Sequence, residues 1–491
     1  MTAAPGLPAA RMTAGLRRPP RWLPWIVAAA AFAVRAVRLD SPPIYVFDEV
    51  YYVGDAASLL RSGVERGLAA HPPLGKWLIG AGIWALGLNP TGWRIAAALA
   101  GAAVCAVASL IAWHWTARLD LALLGGLLCG VDGILFTSSR VAMLDIFEAL
   151  FVVLFAHAVT LAVLSARAGA GAGAGPGSGV AGDRGRVPGR RWLVLAAAWI
   201  GLGAAVKWSA LYCVPVLVGA IIWRAKTGAS RQTALPSAAP WPPPLSAELG
   251  PPPAWSAPSI PPASAAWWVA RALWGTIGAG ALVVGGYLLA FVPTWATNPA
   301  LASPSAFLSR QRAVLRFQLR LSPLNTYAQP AIDWLAQRHP TGLLLQLCQA
   351  GRATASGVCP DRAEASTVAI VSLANPVGWI GGMAALAVLV ARLVYVREAP
   401  VVLALALIVA RWAPWLFTRD GYSFYAAPLV PFVVLGLVLA LSLAPRRAIR
   451  PAAAALGIAA VVAFAFFYPY WAGVPMSGEA LRLRHWLSTW P

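Results

Sequence analysis

The chain has 491 residues, of which 59% are hydrophobic and only 11% are Asp, Glu, Lys or Arg, and its mean hydropathy is +0.68. A soluble domain carries about a quarter charged residues and a disordered chain needs low hydrophobicity, so both are excluded and a polytopic membrane protein remains. The 38 Lys and Arg against 17 acidic residues give a net charge of +21, which in a soluble protein would point to nucleic acid; here the basic residues gather in loops between apolar runs, so they report topology and no nucleic-acid partner.

In chain order, Arg11, Arg17, Arg18 and Arg21 form a basic tail, residues 1–21, ahead of the first apolar run at 22–39. That run is read as a retained helix rather than a cleaved signal peptide, because Arg35 and Arg38 break its outer end and no clear cleavage site follows. Further runs near 20 residues lie at 94–116, 121–138, 142–165, 192–206, 209–223, 267–292, 372–393, 400–417, 425–443 and 452–471, which predicts about eleven transmembrane helices. With the N-terminus inside, the loops at Arg118, Arg184–Arg191, Arg224–Arg231, Arg397 and Arg446–Arg450 are all cytoplasmic, and the C-terminus is external. The Gly/Ala run Ala168–Gly182 and the Pro/Ser/Ala run Ala234–Ala263 read as linkers.

The predicted organisation is an N-terminal module, 22–293, with an external loop at 40–93; a second external loop at 294–371; a four-helix module at 372–471; and an external tail at 472–491. Leu74–Leu88 is too short and too interrupted for a span and reads as a helix lying along the surface. Cys348 and Cys359 share the second loop and close a disulfide if that loop faces an oxidising compartment, whereas Cys105, Cys129 and Cys213 lie inside apolar runs.

The chemistry is expected on the external side. Asp48 and Glu49 are adjacent carboxylates among Tyr45, Phe47, Tyr51 and Tyr52, and burial beside aromatics with a cation nearby tunes a carboxylate to act as general base toward a hydroxyl. Arg35, Arg94, Arg140 with Asp145, and Lys207 fall at the same membrane face; cations converging at that depth suit an anion such as a phosphate, while the alternative is a set of buried ion pairs that fix the bundle. His71-Pro72-Pro73-Leu74-Gly75-Lys76 is a stiff entry to a helix, with Lys76 adding a cation and His71 a structural hydrogen bonder. Arg419 lies in a short turn with Tyr422 and Tyr425, residues that either form an interfacial belt or line a sugar site. No metal-ligand spacing, Walker loop or dinucleotide fingerprint occurs.

These motifs together, Val46-Phe47-Asp48-Glu49, His71–Lys76, Trp93-Arg94, Arg140–Asp145, Lys207-Trp208, Arg419–Tyr425 with Pro428, Phe467–Pro469 and Trp486, resemble the protein O-mannosyltransferases, specifically the shorter actinobacterial type, in order and over residues 22–491. The inserted β-trefoil domain of eukaryotic members is absent, and the histidine-rich motif expected of actinobacterial members is not evident at residues 316–327. The resemblance implies an all-α polytopic GT-C fold in the plasma membrane, and transfer of mannose from polyprenyl-phosphate-mannose to Ser or Thr of proteins exported through the Sec translocon, with inversion. It further implies Asp48 as base, Glu49 beside it, Arg35, Arg94, Arg140, Lys207 and Arg419 on the donor phosphate, and His71, Lys76, Asp145, Tyr422 and Tyr425 in support. No cofactor follows from these residues, and a divalent cation is left open. The competing readings are a GT-C transferase acting on a lipid or polysaccharide acceptor, and a polyprenyl-lipid transporter, which would carry midplane charges and an internal repeat that is not seen.

Overall fold

The computed structural model describes residues 17–66, 70–171, 189–232, 265–320, 327–361, 364–418 and 420–491. The two linker runs, from residue 172 and from residue 234, the first 16 residues of the tail, and Arg419 lie outside the described residues.

The N-terminal half runs α1 (Leu23–Ala36), α2 (Glu49–Ser62), α3 (Leu74–Leu86), α4 (Pro90–Thr116), α5 (Leu119–Gly130), α6 (Gly133–Arg140), α7 (Leu144–Gly171), α8 (Arg190–Ala204) and α9 (Val214–Gln232), the last entered through a 3-10 turn at Trp208–Cys213. It continues through α10 (Ala265–Leu289), α11 (Val292–Thr297), α12 (Pro304–Arg320) and α13 (Ala331–Ala336) to a hairpin of β1 (Thr341–Cys348) and β2 (Ser366–Ser372). The C-terminal part is α14 (Pro376–Val396), α15 (Ala399–Trp412), α16 (Val430–Leu441), α17 (Arg446–Ala472) and α18 (Gly478–Arg482).

Each predicted apolar run contains helix, but not always one of spanning length. Seven described helices are long and apolar enough to cross a membrane, and the bent pair α5 and α6, 56° apart, makes an eighth if it is one span. The helices α1 and α16 have 14 and 12 residues, the rest of their apolar runs being turn or 3-10 structure. The break between α5 and α6 is stabilised by side chains that satisfy the freed main chain. Asp132 Oδ1 accepts from Leu135 N at 3.0 Å and caps α6, while its Oδ2 accepts from Asn375 N at 3.1 Å. Asn375 Nδ2 donates to Val131 O at 3.0 Å and to Ala460 O at 2.9 Å, tying α5, α14 and α17 at one point. A Cβ at Gly133 would run into the Leu373 carbonyl oxygen and Trp471, so only glycine lets α6 approach that closely.

Helices α4, α5, α7 and α8 form the packed centre, with α1 against α4 and α10 against α8. Helix α3 lies on α2 and α4 with Lys76, Ile79 and Ile83 buried and Trp84 exposed, the one-sided pattern of a surface helix.

The fold is helical except for one addition to the all-α expectation. Residues 341–348 and 366–372 form a two-stranded antiparallel sheet, Thr341 opposite Ser372 and Cys348 opposite Ser366. Thr367, Val368, Ile370 and Val371 are β-branched, and all of β2 is buried, with α6 and α17 packed against it. Cys348 is disulfide-bonded to Cys359, closing the connection that follows β1, and Cys105, Cys129 and Cys213 are buried free thiols.

Candidate active site

Asp48 sits at the N-cap of α2, at the turn where residues 37–48 lead into the helix. The turn is sharp because Phe47 adopts a φ of +50°, a left-handed conformation that costs a non-glycine residue about 1–2 kcal/mol. Contacts hold it there: the Phe47 ring meets Tyr422 edge-on at 5.8 Å and Phe424 at 5.5 Å, and Glu49 Oε2 accepts from Val46 N at 2.8 Å. Asp48 therefore projects from a rigid corner.

Its Oδ2 accepts from the Tyr52 hydroxyl, one helical turn on, at 3.0 Å. Burial pushes the Asp48 carboxyl above its ordinary value, and the Tyr52 hydrogen bond and the Lys207 charge pull back against it. Burial, followed by the negative charges of Asp48 and Asp145, holds the Tyr52 phenol well above its usual range, so it stays a donor. Around this pair stand His71, its ring 6.3 Å from that of Tyr52, and Lys207, whose Nζ pairs with Asp145 Oδ1 at 2.9 Å and lies 4.4 Å from the centre of the Tyr425 ring. Asp145 Oδ2 is buried and has no hydrogen-bond partner among the described residues. Tyr425 stacks on Trp415 at 5.0 Å and Tyr422 on Phe424 at 5.3 Å, completing an aromatic wall. Asp48, His71, Asp145, Lys207, Tyr422 and Tyr425, separate in sequence, thus form one neighbourhood. Asp48 keeps a partly open edge there, whereas Glu49 and Asp145 are buried.

Three of the cations expected on a phosphate, and the supporting Lys76, make their contacts elsewhere. Arg94 is fully buried and places all five N–H groups inside the protein: Nε on Glu49 Oε1 at 2.8 Å, Nη2 on Glu49 Oε2 and Ile44 O at 2.9 Å each, and Nη1 on Pro42 O at 2.9 Å and Leu39 O at 3.2 Å. Glu49 Oε1 also accepts from Ala142 N at 2.8 Å, so this carboxylate is a buried tie between α2, α4 and the turn before α7. Arg140 donates to the carbonyls of Arg35, Val37 and Arg38 and closes the C-terminal end of α1. Arg35, also fully buried, donates to Ser139 Oγ at 2.8 Å and to Gly130 O at 3.2 Å. Lys76 binds Asp55 Oδ2 at 2.8 Å and Glu65 Oε1 at 3.0 Å, and Glu65 in turn meets Arg310 of α12, which ties the connection between α2 and α3 to α12. These residues frame the loop that carries Asp48.

A second buried cluster was not anticipated. Glu148 Oε1 accepts from Arg411 Nη2 at 2.6 Å and from Ser209 Oγ at 2.7 Å, joining α7, α15 and the Lys207 turn. The signal was present as charges inside apolar runs, Asp145 and Glu148 within 142–165 and Arg411 within 400–417. Tyr52 was likewise visible as the residue four places after Asp48. Among the described residues, no group of three His, Cys, Asp or Glu side chains gathers as metal ligands.

Residues 87–237 match the family model described as dolichyl-phosphate-mannose-protein mannosyltransferase. A polyprenol-phosphate-mannose–protein mannosyltransferase of Mycolicibacterium smegmatis is 28% identical over 95% of this chain and 92% of that protein. The chain is thus similar to protein O-mannosyltransferases over most of its length. Its relative of the same name in Mycobacterium tuberculosis is 27% identical over 91% of this chain and 86% of that protein. One in Corynebacterium glutamicum is 32% identical over 38% of this chain and 39% of that protein. Among solved structures, the S. cerevisiae protein O-mannosyltransferase Pmt1-Pmt2 complex bound to the sugar donor superposes with a TM-score of 0.68 at 12% identity, covering 95% of this chain and 92% of that one. ArnT from Cupriavidus metallidurans, bound to undecaprenyl phosphate, gives 0.51 at 16% identity over 86% of this chain and 60% of that one. The chain is thus a multi-pass membrane protein with the GT-C fold.

Proposed function

We propose that this protein transfers mannose from polyprenyl-phosphate-mannose to the hydroxyl of Ser or Thr in exported proteins. The family and the names of its relatives support the reaction class. The observation that carries the assignment of roles is Asp48, a carboxylate with raised proton affinity and an open edge, held by Tyr52 and facing the Lys207 charge. In the proposed step the acceptor oxygen attacks the anomeric carbon as Asp48 takes its proton, and the bond to the lipid phosphate breaks on the opposite side, inverting configuration. Lys207 stabilises the charge on the departing phosphate, and the sequence resemblance assigns Arg419 to the same task. The unpartnered Asp145 Oδ2 accepts from a sugar hydroxyl, and Tyr425 and Tyr422 supply its apolar wall. Arg35, Arg94, Arg140, Glu49 and Lys76 act by positioning the loop.

The proposed setting is the plasma membrane with the site on the external face, eleven crossings, and the N-terminus inside. The domain division proposed is a catalytic module over 22–293 with its loop at 40–93, a second loop at 294–371, a module at 372–471 and an external tail at 472–491. The Cys348–Cys359 bond, in the loop whose hairpin packs behind Phe47 and Phe424, supports an oxidising compartment on that side. Acceptors reach this face while still extended, as chains leaving a translocon do. Membranes carrying the protein are incubated with radiolabelled polyprenyl-phosphate-mannose and a Ser/Thr/Pro-rich peptide. Label in the peptide is expected; label only in lipid or glycan would refute the protein acceptor, and an unconsumed donor would refute the reaction. A chelator in the same assay reports whether a divalent cation takes part.

A further inference from the structure

A groove of about 690 Å³ runs between α1, α5 and α17, away from Asp48. Its walls include Val27 and Val34 of α1, Leu124 and Leu127 of α5, and Gly457 and Val461 of α17. Small residues on facing turns leave the space unfilled, and the lining is apolar except for Asp120 and Arg450 at one end. Asp120 is already engaged by Arg118, whose Nε lies 3.1 Å from its Oδ1. Arg450 stands 3.9 Å from Asp120 with its side chain 86% exposed, and Arg446 and Arg447 are exposed on the preceding turn.

We infer that this groove binds one acyl chain of an anionic phospholipid, with the headgroup phosphate held by Arg446, Arg447 and Arg450. Three observations select that occupant. The lining from Arg450 to Val462 spans thirteen residues of α17, about 18 Å at the helical rise, close to the roughly 15 Å depth of one leaflet's hydrocarbon. A polar mouth with three arginines at one end and hydrocarbon-like walls beyond matches a lipid that is anionic at one end only. The donor lipid is a poor fit, because its phosphate belongs near Asp48. The other end of α17, at Phe464 and Tyr468, packs on Phe136 of α6 next to Arg140, and α17 has 27 residues, about 40 Å of helix. The arginines therefore lie in the leaflet opposite the reaction. A bound chain wedges α1 against α5 just below the Arg35 contacts with Ser139 and Gly130, and so stabilises the frame without touching substrate.

The test uses the full chain purified in mild detergent, stripped of lipid and titrated with phosphatidylglycerol or phosphatidylcholine, with native mass spectrometry and thermal unfolding as readouts. Phosphatidylglycerol is expected to bind one per chain and to raise Tm, phosphatidylcholine at least tenfold more weakly. Arg446→Glu/Arg447→Glu/Arg450→Glu and, separately, Ala454→Leu, which fills the groove, should each lose that binding and the Tm rise while mannose transfer at saturating donor persists. Equal binding of both lipids, or undiminished phosphatidylglycerol binding in both variants, overturns the inference. So does a dimer that crosslinks through Cys introduced at Ile458, since a second copy would then cover the groove.

Discussion

Replacing Arg94 with Met separates a framing role from a phosphate-binding one. The guanidinium makes five hydrogen bonds, two to the Glu49 carboxylate and three to the carbonyls of Leu39, Pro42 and Ile44, all inside the protein. Methionine fills similar space but leaves Glu49, which is 0% exposed, as a buried charge with only the Val46 and Ala142 amides to answer it. Breaking a buried pair from one side costs about 3–5 kcal/mol, enough to release residues 39–49 from α4. The Arg94→Met protein should therefore unfold at a lower temperature and be cut readily by protease between residues 39 and 49, and its transfer rate should fall because Asp48 is no longer fixed. Adding Glu49→Gln removes the orphaned charge, so the double variant should regain part of the lost Tm, a coupling that a cycle of the two single variants measures. If Arg94→Met instead keeps its Tm and its protease resistance and loses only donor affinity, Arg94 binds the phosphate and the framing account is wrong.

Other outcomes follow from the same geometry. Asp48 works as a base only when ionised, so the rate should fall as pH drops through its raised value; Tyr52→Phe removes a contact that lowers it, and the acidic limb of kcat/KM should move to higher pH. Glu148→Gln leaves Arg411 buried opposite a neutral group and should destabilise the protein by a few kcal/mol, read as a lower Tm in detergent. Cys348→Ser opens a loop of sequence separation 11 and should cost roughly 2–4 kcal/mol locally, seen as faster proteolysis between residues 349 and 358.

The apolar runs were legible because length and hydropathy alone mark where helix must satisfy its own backbone, and each of them contains helix. Their ends were not: the bend at Val131 depends on Asp132 meeting Asn375, a partner 243 residues away. Residues 341–348 form an apolar run too short to tell strand from helix by periodicity, and pairing with β2 decides it. In the site, sequence showed which ionisable groups share a membrane face but not which way each points. Arg94 and Arg140 lie beside the loop as expected, yet main-chain carbonyls take their donors: those of Leu39, Pro42 and Ile44, in a segment with two prolines, hold Arg94, and those left open at the end of α1 hold Arg140. Lys207 and Asp145 came together across 62 residues only when α7 packed on α8.

The central claim is that Asp48 removes the acceptor proton while others hold the frame, and Asp48→Asn addresses it with the smallest change in shape. The carboxylate binds protons more readily folded than unfolded, so fewer are bound in the unfolded chain and stability falls as pH rises through that window; the amide removes this penalty. Purified Asp48→Asn should therefore match or exceed the wild-type Tm at neutral pH, bind polyprenyl-phosphate-mannose with unchanged affinity, and transfer mannose about 10²- to 10⁴-fold more slowly. Transfer within a few-fold of wild type by a well-folded Asp48→Asn protein would contradict the account.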